Sequence, residues 1–413
     1  MSTPTPEEVR AEVRAWLAAN WDPDLSLLDW RRRLVESGWA TPTWPAEWYG
    51  RGLPGWAEPI VHEEFAAVGA VGPAVGAGMG LAAPTLLAHG SDEQKHRFLP
   101  RAITGEDTWC QLFSEPTNGS DLAGLATRAE LDGDEWVVNG QKLWSTSAHH
   151  ADFGLLLART DPDVPKHQGI SYFILPMHQP GVEVRPVRQM NDHASFNEVF
   201  LTDARVPVNN LVGRPGDGWR IAMTTLAFER QFATVRPRST TAPSGRAATE
   251  AAAEAEEYYK TYSWYPQRAG RADLVPQVAE LQGRTGDPIA RQAIAGLVAL
   301  RRAHEWTARR AQAARAAGRT PGAEGSLGKL AASEVARRAA RTHSLLAGAH
   351  GQLRGADGLL DGIVTEVLLS VPAQSIAGGT DEIQHNIIGE KVLGLPREPA
   401  VDRDIPYREI RRS

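Results

Sequence analysis

The stretch Thr127-Arg-Ala-Glu-Leu-Asp-Gly-Asp-Glu-Trp-Val-Val-Asn-Gly-Gln-Lys-Leu-Trp144 marks the point at which the chain changes from helical to strand-like patterns. Residues 127–131 alternate between polar and apolar, Asp132-Gly133-Asp134 predicts a turn, and Asn139-Gly140 predicts a second turn. Short runs joined by Asp-Gly or Asn-Gly are the strongest local signal for β-hairpins. Further strand-like runs cover 154–158, 170–175, 182–187 and 196–201. Strands of this length and spacing predict an antiparallel barrel or sandwich that ends near Val212.

Helical patterns lie on both sides of this region. Before it, Thr5 is a predicted N-cap, Pro6 takes the first helical position and Glu8 completes a capping box. Helical periodicity then covers 29–37, 58–68 and 91–103 before the strands, and 219–234, 288–317, 326–346, 359–370 and 381–393 after them. The long helices of the C-terminal part predict a bundle.

The predicted fold class is therefore α+β. We expect an N-terminal helical domain over 1–106, an antiparallel β-barrel domain over 107–212 and a C-terminal four-helix bundle over 213–396. Within the bundle, 236–287 is an atypical, insertion-like stretch rich in Pro, Gly and Tyr, and 397–413 forms a tail.

Composition excludes several classes of function. The 413 residues carry a net charge of -6, and this mild acidity argues against a nucleic-acid binder. A lone Cys110 excludes an intramolecular disulfide and a Cys-rich metal site, and fits a reducing cytoplasm. The uncharged stretch 65–88 contains five Gly and two Pro, so we expect buried helices there and no membrane span. His149-His150 lacks a carboxylate cluster at ligand spacing, and no metal site is expected.

Three segments carry the chemistry. They are Ser-Glu-Pro-Thr-Asn-Gly-Ser-Asp at 114–121, Asn-Gly-Gln-Lys-Leu-Trp-Ser-Thr at 139–146 and Gly-Gly-Thr-Asp-Glu-Ile-Gln at 378–384. Together, and in this order, they resemble the signatures of the acyl-CoA dehydrogenase family, flavoenzymes that introduce a 2,3-double bond into acyl thioesters. Ser114 stands where that family usually has Thr, and the resemblance covers about 1–235 and 284–396.

The resemblance implies an FAD cofactor. Trp144 offers a flat wall for the flavin ring, Ser114 and Thr146 offer hydroxyl groups, and Gly119-Ser120 allows a phosphate or acyl-thioester chain to approach the backbone closely. Taken singly, each residue also has a structural interpretation: Trp144 in a core, Ser120 as a helix cap. The expected cofactor-binding residues are Gln111, Phe113, Ser114, Gly119, Ser120, Trp144, Thr146, Ser344, Gly348, Thr380 and Glu382, and the expected substrate-binding residues are Ser120, Arg230 and Gly379.

Some of these assignments involve a partner subunit in the family. The resemblance implies that Thr380 and Glu382 contact the adenine half of the FAD. It also implies that Ser344 to Gly348 corresponds to a segment that contacts the flavin of the neighbouring chain, although the family's sequence pattern is only partly kept here. No clear counterpart of the family's pyrophosphate-binding Arg is present in the atypical stretch 236–287.

The expected catalytic base is Glu229. Most family members carry a Glu directly before the Gly-Thr of the third segment, but this chain has Gly378 there. Some subgroups instead use a Glu-Arg pair on the helix after the barrel, which matches Glu229-Arg230. Burial beside Leu226, Phe228 and an acyl chain is expected to raise the pKa of Glu229. The backbone N–H of Gly378 is expected to help bind the thioester oxygen, as an oxyanion-hole donor.

The expected function is FAD-dependent dehydrogenation of an acyl-CoA, with electrons passed to an electron-transfer flavoprotein and a dimer of dimers as the assembly, either homomeric or paired with a related subunit. Two alternatives stay open: an acyl-CoA oxidase or another O₂-using relative, and a non-catalytic, partner-dependent subunit of a heteromeric enzyme. Branched, long-chain, steroid and biosynthetic acyl groups all stay open, as does a carrier-protein thioester in place of CoA.

Overall fold

A computed structural model describes residues 4–232, 244–316, 324–397, 399–400 and 402–410. The chain divides into two compact units. The first comprises Met1–Val187, Ser195–Thr261 and Val401–Ser413, and the second comprises Arg188–Ala194 and Tyr262–Ala400. The limits of these two units differ from the domain limits expected above, which stay a prediction.

Seven α-helices lie in the described part of the first unit. They are α1 (Pro6–Asn20), α2 (Leu27–Ser37), α3 (Ala57–Val68), α4 (Ala83–His89), α5 (Asp92–Thr104), α6 (Gly218–Phe232) and α7 (Arg246–Lys260). The predicted capping box of α1 is confirmed, because Thr5 accepts from the Glu8 backbone while the Glu8 carboxylate accepts from the Thr5 backbone. α7 shows that part of the atypical stretch is helical.

The first unit also contains an eight-stranded sheet. Its strands are β1 (Trp109–Leu112), β2 (Arg128–Asp132), β3 (Glu135–Thr146), β4 (Phe153–Arg159), β5 (Ile170–Pro176), β6 (Val182–Val187), β7 (Phe196–Pro207) and β8 (Leu211–Val212). Their order is β6-β7-β3-β2-β4-β5-β8, with β1 paired to β4. Most pairs are antiparallel as expected, but β1 and β2 each pair with β4 in parallel. The helical–sheet–helical order of the predicted fold class is confirmed.

One of the two predicted turns is wrong. Asp132-Gly133-Asp134 does connect β2 to β3, but Asn139-Gly140 lies inside β3, where the register with β7 shifts between Val138 and Gly140. The Asn139 side chain exchanges two hydrogen bonds with Asp203 of β7, of 2.9 and 3.0 Å. This cross-strand pair stabilises a bulge, so the strand continues instead of reversing.

The uncharged stretch 65–88 ends α3, passes through a π-helical turn at Gly78–Ala82 and enters α4. A Cβ at Gly78 would lie 3.0 Å from the Trp109 ring, so the glycine permits close packing against β1. Within the described ranges, no helix is both long and apolar enough to cross a membrane.

Helix α6 packs on the sheet. Ile221 and Ala222 are fully buried in one core with residues of α4 and β5, and the Thr225 hydroxyl lies 3.0 Å from Thr85 and 3.1 Å from the Tyr172 hydroxyl. These contacts fix α6, the helix that carries the predicted base, against α4 and the sheet.

The second unit is helical. Its helices are α8 (Tyr265–Arg268), α9 (Val275–Leu281), α10 (Pro288–Ala316), α11 (Glu324–Ala347), α12 (Ile363–Ser370), α13 (Pro372–Ile376) and α14 (Asp381–Lys391). Its main core joins apolar residues of α9, α10, α11 and α12. Residues 188–194 belong to this unit, where Asn191 donates to the Ser370 hydroxyl at 2.9 Å and His193 lies 2.9 Å from the Glu366 carboxylate.

Candidate active site

The segment after β1 is fixed by a fully buried lysine on β3. Lys142 donates to the Phe113 carbonyl at 3.1 Å and to the Glu115 carboxylate at 2.8 Å, and the Leu143 N–H donates to the Ser114 carbonyl at 2.9 Å. Three consecutive residues, Phe113 to Glu115, are therefore held by two neighbouring residues of β3. This arrangement sets the position of Ser114, a predicted flavin contact.

Glu115 is the acidic member of this buried pair. It also accepts from the backbone N–H groups of Ala126 at 2.6 Å and Thr127 at 2.9 Å. Burial alone would raise the pKa of Glu115, but the Lys142 ammonium and these donors outweigh burial and lower it. Both residues lie within the first two motifs, but sequence reasoning assigned them no role. The signal that could have identified this pair is a Lys placed between strand-forming residues.

Trp144 occupies a strained bulge. On β3, Lys142 pairs with Val199 and Ser145 pairs with Asn197, so Leu143 and Trp144 together oppose a single residue of β7. Trp144 has φ 63°, a left-handed conformation that is costly for a bulky residue. Trp144 is 52% exposed, and its ring packs edge-to-face against Phe196 with 5.5 Å between the ring centroids. The backbone thus turns a large apolar surface outward, where the sequence predicted a flavin wall.

Two buried polar atoms lie next to this bulge. Ser145 Oγ and Asn197 Oδ1 have no hydrogen-bond partner among the described residues, although Asn197 Nδ2 donates to the Ser145 carbonyl at 2.9 Å. Unsatisfied polar groups and backbone strain both concentrate at functional sites. Their coincidence at Ser145 singles out this part of β3.

The residues present fit a flavin. The exposed Trp144 indole on β3 supplies a flat apolar face. The partly buried Thr146, also on β3, and the partly buried Ser114, which follows β1 and is bonded to Leu143 of β3, supply hydroxyl donors. Gly119 and Ser120 are exposed, and a Cβ at Gly119 would meet no atom of the described chain within 4 Å. That open space leaves the backbone accessible to a phosphate group.

The predicted base contacts β1. Glu229, on α6, accepts a hydrogen bond of 3.3 Å from the side-chain amide of Gln111, and both residues are partly buried. Gln111 was expected to bind the cofactor, whereas its side chain lies against the carboxylate of the predicted base. The side chain of Arg230, a predicted substrate contact, lies outside the described part of the structure.

The third motif lies in the second unit. Gly378 and Gly379 have φ of 70° and 83°, which favours glycine, and Gln384 donates to the Gly378 carbonyl at 3.2 Å. Thr380 caps α14 by accepting from the Ile383 N–H at 3.3 Å. The Glu382 backbone N–H and the Thr380 side chain lower the pKa of Glu382. Ser344 and Gly348, at the end of α11, are exposed.

An ion cluster anchors the start of α14. Asp381 pairs with Lys329 at 3.0 Å and with Arg337, both on α11. Burial opposes ionisation, but hydrogen bonds from Lys329, Ser333 and Arg337 lower the pKa of Asp381 to about 2. Sequence reasoning did not assign this role to any of these residues.

The chain is similar to known proteins over nearly its whole length. Family models match three consecutive regions: acyl-CoA dehydrogenase, N-terminal domain, over 3–106; middle domain over 110–204; and C-terminal domain over 278–393. The acyl-CoA dehydrogenase IpdE1 of Mycobacterium tuberculosis is 36% identical over 95% of this chain and 98% of its own length. FadE34 of the same organism is 38% identical over 88% of this chain and 46% of its own length.

Solved structures are similar over the same extent. The ChsE4-ChsE5 complex from Mycobacterium tuberculosis matches with a TM-score of 0.64 and 29% identity, over 96% of this chain and 99% of that chain. The Tcur3481-Tcur3483 steroid ACAD matches with a TM-score of 0.65 and 26% identity, over 96% of this chain and all of that chain.

Proposed function

The chain belongs to the acyl-CoA dehydrogenase family, and on that premise we propose that it dehydrogenates a CoA thioester with Glu229 as its catalytic base. As a member it is an FAD-dependent oxidoreductase acting on CH–CH bonds. The FAD, when bound, accepts two electrons with the hydrogen that leaves the β-carbon. The observation that carries our proposal is the Gln111–Glu229 hydrogen bond, which holds a carboxylate on α6 beside the strand that leads into the flavin-facing segment.

Glu229 takes the α-proton. The base must be ionised before the reaction, and the Gln111 amide favours the ionised form by donating to it. An acyl chain that excludes water from this carboxylate acts in the opposite direction and increases its basicity. The second unit has no side-chain carboxylate at position 378, so it offers no competitor from the usual position.

The thioester oxygen needs hydrogen-bond donors as the α-proton leaves, because negative charge develops on it. We assign the backbone N–H of Gly378 to this role, which the loss of a side chain at that position leaves intact. A donor of this kind typically contributes about 3 kcal/mol to lowering the barrier.

The remaining predicted residues are assigned to binding. Phe113, Ser114, Trp144 and Thr146 would hold the flavin ring, and Gly119-Ser120 would accept phosphate groups or the thioester chain. The residues assigned to FAD bound by a neighbouring subunit are Ser344, Gly348, Thr380 and Glu382, and those assigned to substrate are Arg230 and Gly379.

We propose a steroid-derived acyl group as the substrate class. The similarity to a steroid ACAD over nearly the whole chain supports this choice over straight-chain thioesters. A panel of steroid side-chain, branched and straight-chain acyl-CoAs, compared by their initial rates of flavin bleaching, tests it; faster reduction by straight-chain substrates would exclude it.

Electron-transfer flavoprotein is the proposed acceptor. Turnover with this protein or with an artificial acceptor, compared with turnover in dioxygen alone, tests the assignment against the oxidase alternative. Equal rates with dioxygen alone would favour an oxidase.

A partner-dependent subunit is the second candidate. Two similar structures are complexes of two differently named chains. In this sequence, the segment Ser344 to Gly348 matches the family's flavin-contact pattern only in part. The absorption spectrum of the chain purified alone separates the candidates. A yellow protein that is bleached anaerobically by an acyl-CoA supports a self-sufficient enzyme, whereas a colourless protein supports dependence on a sister chain.

A further inference from the structure

The C-terminal segment 402–410 packs against the first unit, although the sequence indicated only a tail there. The Tyr407 N–H donates to the Val164 carbonyl at 2.9 Å, and the Arg408 N–H donates to the Pro162 carbonyl at 3.1 Å. Pro406 also forms a β-bridge with Pro165. The segment is therefore bound along the connection between β4 and β5.

Tyr407 reaches beyond this connection to a turn at residues 122–125. Its ring, 8% exposed, lies 3.4 Å from the Arg159 guanidinium, and its hydroxyl donates to the Gly124 carbonyl at 3.1 Å. Arg159, 4% exposed, donates to the carbonyls of Ala123 at 2.7 Å and Leu125 at 3.1 Å. Tyr407 and Arg159 together hold three consecutive carbonyls of the turn.

Asp402 forms a second attachment. Lys166 donates to Asp402 at 2.7 Å and to Asp121 at 3.1 Å, so one ammonium joins the C-terminal segment to the residue next to Ser120. Partial burial acts to lower the pKa of Lys166, but the two carboxylates outweigh it and raise it. The same ammonium lowers the pKa of Asp402. The attachment therefore stays charged throughout the neutral pH range.

We propose that 402–410 is a strap that positions the Gly119–Ser120 backbone to bind the phosphate groups of FAD or of a CoA thioester, with Tyr407 and Asp402 as its positioning residues. This inference rests on the binding role given to Gly119-Ser120 under the proposed function.

The physical reason is the freedom of the segment 116–121. Its start is fixed by Glu115, whose N–H donates to the Asn118 carbonyl at 3.1 Å, but Gly119 and Ser120 are exposed, and a Cβ at Gly119 would meet no described atom within 4 Å. A glycine-containing loop loses much conformational entropy when a ligand orders it. Fixing the far end of the loop through Asp121 and Gly124 reduces that loss before binding and so strengthens affinity.

The test uses the full chain and three variants. Asp402→Asn weakens the Lys166 attachment, and Tyr407→Phe removes the bond to Gly124 while keeping the ring over Arg159. Asp404→Asn is the matched control, because Asp404 is exposed in the same segment and its carboxylate pairs with no residue in the described ranges. Hydrogen–deuterium exchange of amides 119–125 is measured on the apoprotein, FAD affinity by flavin fluorescence, and affinity for free CoA by calorimetry on the FAD-loaded protein.

We expect faster exchange at 119–125 in Asp402→Asn and Tyr407→Phe, and weaker binding of at least one probe, with Asp404→Asn like the wild type. Affinity should fall roughly tenfold if the binding-competent loop drops to about one tenth of the population. Weakening of FAD alone identifies the cofactor as the phosphate source, and weakening of CoA alone identifies the substrate. Unchanged exchange, or faster exchange with both affinities unchanged, overturns the strap. Failure of every acyl-CoA to bleach the wild-type protein would refute the proposed function instead, and the exchange and FAD measurements would still decide on the strap.

Discussion

Backbone strain at Trp144 is the strongest sign of function at the scale of single residues. The sequence predicts that an aromatic ring faces the cofactor, but a left-handed φ of 63° at a tryptophan cannot be inferred from residue type. It follows from the pairing of β3 with β7, in which two residues oppose one. The strain persists because Lys142 and Ser145 on either side are fully buried.

Replacing Trp144 with Gly and with Ala separates strain from cofactor binding. Both variants lose the indole, and we expect FAD affinity to fall roughly tenfold, equivalent to ~1.4 kcal/mol. The apoprotein with Gly should be more stable than the one with Ala by about 1 kcal/mol, because only Gly adopts this φ without strain. Urea unfolding of the two apoproteins measures the difference. A more stable Ala variant would show that the left-handed conformation is absent in solution.

Gln111 is expected to tune the base. Its amide donates to Glu229, which favours the carboxylate, so Gln111→Leu should make Glu229 easier to protonate. The acidic limb of the pH profile for flavin reduction then moves to higher pH. Stopped-flow reduction between pH 5 and 9 measures the shift, with Gln282→Leu as a control on a partly buried glutamine in the second unit. A profile that keeps its acidic limb in place would remove Gln111 from this role.

At the scale of elements, the buried Lys142–Glu115 pair joins the segment after β1 to β3. Lys142→Met leaves Glu115 charged, buried and without its ammonium partner, and should destabilise the protein by about 3–5 kcal/mol at neutral pH. The added substitution Glu115→Gln should restore most of this loss, which urea unfolding of the single and double variants measures. No recovery in the double variant would contradict the pairing.

The pH dependence of the same pair has a definite sign. The pKa of Glu115 is lower in the folded state, so its contribution to stability is present above the unfolded-state pKa and is lost as the pH falls through the folded-state pKa. The penalty of Lys142→Met should therefore shrink as the pH falls and Glu115 becomes protonated. Unfolding free energies of wild type and variant at several pH values below 7 measure this, and a penalty that grows on acidification would contradict it.

Most elements could be predicted from the sequence because their signals are local. The α1 capping box and the Asp132-Gly133 turn both depend on neighbouring residues and are confirmed. The predicted Asn139-Gly140 turn is wrong because a distant partner, Asp203, stabilises the extended chain. Parallel pairing of β1 and β2 with β4 likewise depends on long-range contacts, which periodicity does not report.

At the scale of the whole molecule, the motifs divide between two compact units. The first two motifs and Glu229 belong to the first unit, and Gly378 to Glu382 belong to the second. The motif residues could be identified from the sequence through their resemblance to a family. The supporting contacts of Lys142, Gln111 and Tyr407 could not, because each partner lies far along the chain.

Exposed apolar residues just after α14 favour the expected assembly of several chains. Leu393 and Leu395 are 67% and 56% exposed, and Ile376 is 63% exposed in the same unit. Leu393→Glu should therefore reduce the mass measured by light scattering below that of the expected dimer of dimers, whose chains are 44.8 kDa each. Leu131→Glu, at a 59% exposed position on β2, is the control and should leave the mass unchanged. A tetramer that persists in Leu393→Glu would place the interface elsewhere.

The assignment of Glu229 as base is tested most directly by the rate of anaerobic flavin reduction in Glu229→Gln. The amide has nearly the shape of the carboxylate but cannot take a proton, so we expect FAD and acyl-CoA binding to be kept and the reduction rate to fall about 10²–10⁴-fold. Glu93→Gln, an exposed change on α5, should reduce at the wild-type rate. A Glu229→Gln protein that binds acyl-CoA and is reduced as fast as the wild type would contradict the account and assign the proton transfer to another residue.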